Sequence, residues 1–107
     1  MIRRQIRDEH GAPAWMLITE LEHARIAGEL AADWGSATFR TIAPRDVVLP
    51  TIYRHDDGWQ EWERAPTIDP QTGWPRSCTE MPKPVAHDIL QRSIESIGEL
   101  GPTARYM

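Results

Sequence analysis

This chain has little cysteine, little lysine and no long apolar run. Cys78 is the one cysteine in 107 residues. No internal disulfide is therefore available, and a secreted, disulfide-stapled scaffold is excluded. Of the twelve basic residues only Lys83 is a lysine. No segment approaches the roughly 20 apolar residues that cross a bilayer. The opening Met1-Ile2-Arg3-Arg4-Gln5-Ile6 is basic, but the apolar stretch of a signal peptide does not follow it. The expectation is a cytoplasmic protein with no membrane partner. A basic stripe is missing too. At net charge −4 the chain lacks the signature of a nucleic-acid binder, so no nucleic acid is expected as a partner. There is no Gly-rich phosphate loop, no Gly-x-Ser-x-Gly elbow and no Cys-x-x-Cys pair. Cys78 has no adjacent histidine or basic pair to activate it, which removes a cysteine nucleophile.

What remains is enough for one modest core: 40% of residues are hydrophobic and 26% charged. A single domain over residues 1–107 is expected. Residues 1–7 and Ala14-Trp15-Met16-Leu17-Ile18 read as two short strands around a turn at Asp8 to Pro13. Thr19-Glu20-Leu21-Glu22 is a capping-box pattern that starts a first helix. That helix should run from about Glu20 to Trp34 and stop at Gly35, burying Ala27, Leu30, Ala31 and Trp34. His23 lies on the same face. Phe39 is a buried candidate in the polar connector that follows.

Pro44 opens a second helix, in which Val47, Val48, Thr51, Ile52, His55 and Trp59 keep helical spacing. Pro50 should kink it, and Gly58 is its expected end. A short helical turn at 60–64 and a tight turn at Asp69-Pro70-Gln71-Thr72-Gly73 come next. A third helix from near Pro84 carries Val85, Ile89, Leu90, Ile94, Ile97 and Leu100. The fold class is mainly α (α+β): a small N-terminal β-hairpin followed by about three helices.

His55-Asp56-Asp57-Gly58-Trp59 concentrates the chemistry: an imidazole, two carboxylates, a glycine and a large aromatic in one run. Two helices joined by a short connector pack antiparallel. From His23 to Trp34 and from Pro44 to His55 are both eleven residues, a rise of roughly 16 Å each. The two imidazoles should therefore come out level, and His23, His55 and Asp56 should converge on one cation. Imidazole with carboxylate suits a divalent transition metal, Mn, Fe, Co, Ni or Zn, better than Ca or Mg. Three ligands leave positions open for water and substrate. Asp57 is the candidate orienter or general base, and Trp59 and Trp62 are candidates to wall the substrate site. His87-Asp88 is a second pair, but at the start of a helix Asp is favourable on its own account.

His23 on a first helix followed by a His55-Asp56 pair ending a second resembles the opening of an HD-domain metal-dependent phosphohydrolase. The chain is more closely similar to an uncharacterised bacterial domain-of-unknown-function family with HD-like character. The matching stretches are Met1-Ile2-Arg3-Arg4, Trp15 to Leu30 with Glu22-His23-Ala24-Arg25, His55-Asp56-Asp57-Gly58-Trp59, and Ile68-Asp69-Pro70-Gln71-Thr72-Gly73. The resemblance implies HD-like helical packing and hydrolysis of a small phosphorylated substrate, an ester or anhydride. It also implies that this chain corresponds to the N-terminal half of such a domain, with later ligands in the missing C-terminal half. The alternative expectation is a non-catalytic HD-like module that binds a partner or forms a homo-oligomer.

Overall fold

The computed structural model describes residues 1–106. Strands β1 (Ile2–Arg7) and β2 (Pro13–Ile18) form an antiparallel hairpin, with Ile2 opposite Ile18 and Arg7 opposite Pro13. Asp8 shapes the turn: its Oδ1 accepts from the backbone N–H of His10 and of Ala12. A two-stranded ribbon is marginal by itself, and Arg3 clips this one to the rest of the chain. Its guanidinium lies 4.8 Å from the Trp15 ring and 5.4 Å from the Trp74 ring. It donates to the Pro75 carbonyl at 2.6 Å and pairs with Glu80 at 2.8 Å.

Helix α1 (Glu20–Ala32) starts where the capping pattern predicts. Thr19 Oγ1 accepts from the Glu22 N–H at 3.0 Å. The other half of the box does not form, because the Glu22 carboxylate pairs with Arg25 along the helix. Helix α2 (Arg45–Arg54) returns antiparallel, with Arg45 donating to the Ala32 carbonyl at the end of α1 at 2.7 Å. Pro50 sits inside α2, and the Thr51 hydroxyl donates back to the Val47 carbonyl at 2.8 Å. The helix ends at Arg54, short of the expected Gly58. Asp57–Trp59 forms a separate 3-10 turn that leads into the short α3 (Gln60–Arg64).

Beyond α3, Ile68 bridges Pro75 and Gly73 takes φ 72°, closing the turn that the sequence predicts. Helix α4 (Lys83–Gly98) buries Ile89, Ser93 and Ile97 and packs on the Asp57–Trp59 turn. A hairpin followed by helices is the expected α+β arrangement. Among the described residues no helix is long and apolar enough to cross a membrane.

The face that α1 buries differs from the expected one. Leu30 is 69% exposed and Trp34 56%, whereas Ala24 is 1% exposed and Gly28 is buried. Phe39 is likewise 61% exposed. Small residues decide this. A Cβ on Gly28 would lie 2.4 Å from the Tyr53 ring, so α2 approaches α1 across its small side chains and leaves the bulky ones outside. The same device recurs under α4. A Cβ on Gly58 would fall 2.0 Å from the Ile89 carbonyl oxygen and 2.8 Å from the Ser93 nitrogen. Gly58 thus serves close helix approach rather than helix termination. The buried hydrophobics among the described residues are Met1, Ala24, Ile89, Ile97 and Ala104, a thin core in which backbone approach does much of the packing.

Candidate metal centre

Antiparallel pairing of α1 with α2 brings His23, in the first turns of α1, beside the end of α2. The two imidazole centroids are 5.7 Å apart at 74°. One ligand atom from each of His23, His55 and Asp56 can be chosen so that all three lie within 4.8 Å of one another. The residues come from positions far apart in sequence, and the level match of the two helices is what makes them meet. His23 is exposed, while His55 and Asp56 are half-buried.

The hydrogen bonds of His55 fix which nitrogen faces inward. Its Nδ1 lies 2.6 Å from the Ile52 carbonyl oxygen. A carbonyl only accepts, so Nδ1 carries the proton and donates. In the neutral ring Nε2 is then a bare lone pair, and it stands 3.2 Å from Asp56 Oδ2. Two acceptors at that distance repel unless a positive charge lies between them. Either a second proton on the imidazole or a shared cation satisfies the contact.

Asp56 is under electrostatic pressure. Burial pushes its carboxyl above the ordinary value; the imidazoles of His55 and His23 and the α-ammonium pull it back, and the Glu20 charge adds to the rise. Glu20 is a contribution the sequence reading missed, although it sits three residues before His23 and so shares its side of α1. It is 5% exposed. Its carboxylate lies 2.8 Å from the α-amino group of Met1, which is also 3.2 Å from Glu63. Glu63 accepts in turn from the Glu20 N–H at 2.6 Å, tying α3 to the start of α1. Two buried carboxylates share one ammonium, which leaves the neighbourhood of Asp56 short of positive charge.

Asp57 faces another way. Its Oδ2 accepts from Arg54 Nε at 2.9 Å and from the Ser96 hydroxyl. Arg54 also donates to Ser96 Oγ at 2.7 Å and pairs with Glu99 at 3.1 Å. This network fastens the Asp57–Trp59 turn to α4, and Asp57 is not among the three converging groups. Trp59 and Trp62 meet edge to face at 5.6 Å. Asp88 pairs with Arg92 on the exposed side of α4 at 3.0 Å. The Cys78 thiol is pushed up, by burial first and then by its hydrogen bond to Glu20, so it stays protonated at neutral pH.

No curated protein and no solved structure matches this chain. A family model described as "Protein of unknown function (DUF3891)" matches residues 1–106, and the chain belongs to that family.

Proposed function

We propose that the chain is an HD-like, metal-dependent phosphohydrolase domain in which His23, His55 and Asp56 hold one divalent transition metal ion. The observation that carries this reading is the His55 Nε2 to Asp56 Oδ2 contact of 3.2 Å, with Nδ1 already committed to the Ile52 carbonyl. That pattern, a backbone carbonyl holding the outer nitrogen and a lone pair turned toward a carboxylate, is how metal-binding histidines are oriented. Two imidazoles and one carboxylate favour Mn, Fe, Co, Ni or Zn. A bound ion would supply Lewis acidity, lowering the pKa of water and withdrawing charge from a phosphoryl oxygen.

The chain's own residues do the rest. Ile52 fixes the His55 tautomer. Glu20 keeps the local field negative and so favours a cation. Asp57 acts as a positioning residue, holding the Asp56–Trp59 turn on α4 through Arg54 and Ser96. An open groove of about 270 Å³ lined by Thr51, Ile52, His55 and Ile97 adjoins the triad on its apolar side, and offers room for the organic part of a phosphate ester. Trp59 and Trp62 pack edge to face and contribute rigidity near the turn.

The test is hydrolysis of an activated phosphodiester by protein loaded with Mn or Zn. Hydrolysis should stop with a chelator and return with metal. His55→Ala and His23→Ala should each lower kcat/KM by at least about 100-fold, the scale expected when an interaction at a metal is removed. Activity indifferent to chelator and to both substitutions would refute the reading.

A further inference from the structure

A polar residue interrupts the buried line of α4. Ile89, Ser93 and Ile97 are spaced four residues apart and share one face of the helix. Ser93 is as buried as the two isoleucines, at 4% exposed. An alanine would continue that line without burying a hydroxyl. The serine instead reaches across to the Asp57–Trp59 turn, where its Oγ accepts from the buried Gly58 N–H at 3.1 Å. The approach is close: a Cβ on Gly58 would lie 2.7 Å from that oxygen.

The Gly58 N–H is one of the donors that the start of a helical turn leaves without a partner. Such a donor is ordinarily taken by the side chain of the residue before the turn, and aspartate is among the strongest types for that role. The residue before this turn is Asp56, yet it makes no capping hydrogen bond. Its backbone is at φ −108°, ψ 13°. Thr19, which does cap α1, has the extended backbone that capping uses, at φ −70°, ψ 151°. In the Asp57–Trp59 turn other acceptors do the work. The Trp59 N–H goes to the Asp56 carbonyl at 3.0 Å, and Ser93 takes the Gly58 N–H. The Asp56 carboxylate is left to face His55 Nε2 at 3.2 Å.

We propose that Ser93 is a positioning residue for the candidate metal centre: it accepts the hydrogen bond that Asp56 would otherwise take, and so releases the Asp56 carboxylate toward His55. The metal part of this inference rests on the proposed ligand set; the release does not, and is read without metal. Removing the Ser93 hydroxyl strands a buried N–H, which is unfavourable. Asp56, two residues earlier, then supplies the acceptor by rotating into extended backbone, and its carboxylate leaves His55.

Asp56→Ala, made in wild type and in Ser93→Ala protein, tests this. Without metal, Asp56→Ala should lower the melting temperature of Ser93→Ala protein by about 4–8 °C more than it lowers that of wild type, because only there does the carboxylate cap the turn. Equal shifts in the two backgrounds would overturn the proposal. With Co(II) as the probe, Ser93→Ala should bind about 10–100-fold more weakly than wild type. Its visible absorption spectrum should resemble that of Co(II)-loaded Asp56→Ala. Cobalt binding by wild type and Ser93→Ala with the same affinity and spectrum would overturn the proposal too. A wild type that binds no cobalt would refute the proposed ligand set alone, and the thermal comparison would still decide the release. If Ser93→Ala does not fold, Ser93→Cys takes its place, filling the same space with a weak acceptor.

Discussion

At Asp56, stability and binding make opposite demands. Burial and the neighbouring Glu20 charge raise its carboxyl above the ordinary value. A carboxyl whose folded value is raised favours folding below its unfolded value, and that contribution is lost as pH rises through the raised one. At neutral pH the ionised group therefore works against the metal-free fold. Asp56→Asn should raise the melting temperature of metal-free protein, with a larger gain at neutral pH than near about pH 4. On the proposed metal reading Mn or Zn should raise the melting temperature of the wild type, and the same variant should abolish that rise. A variant that is less stable than wild type at neutral pH without metal would contradict this balance. The His-Asp pair could be read from sequence as a metal-type site. The pressure on it could not, because Glu20 looked like an ordinary first-turn acid and nothing local announced its burial.

At the scale of elements, the packing runs on glycine and other small residues. The hairpin, the capped start of α1, the Asp69–Gly73 turn and α4 were legible because each is written in local chemistry: alternation, a threonine cap, a positive-φ glycine, a helical apolar period. The buried face of α1 was not. A period shows that a helix has an apolar side; it does not say which side its neighbour takes. Gly28 drew α2 to the small face, and Leu30 and Trp34 stayed outside. Gly58 teaches the same lesson, since its need for no side chain comes from α4, more than thirty residues later. Gly58→Ala should destabilise the protein by about 1–3 kcal/mol through overpacking against backbone, measured by urea unfolding. It should also weaken metal binding, because the turn carrying Asp56 must shift off α4. A change within about 0.5 kcal/mol, the range of an ordinary surface substitution, would show that the helix can move aside freely.

For the molecule as a whole, the pairing of two helices brings three candidate ligands together. Helix arithmetic sets His23 level with His55, and the two ring centroids lie 5.7 Å apart. A thin core was less visible, because composition counts apolar residues without saying how many find a partner. A ligand that binds only the folded chain stabilises the whole of it, by about 2.7 kcal/mol when present at 100 times its dissociation constant. Calorimetric titration of metal-stripped protein with Mn or Zn therefore tests the central claim most directly. One ion should bind per chain, and binding should be lost in His23→Ala, His55→Ala and Asp56→Asn alike. Absence of binding, or binding that survives the loss of all three side chains, would contradict it.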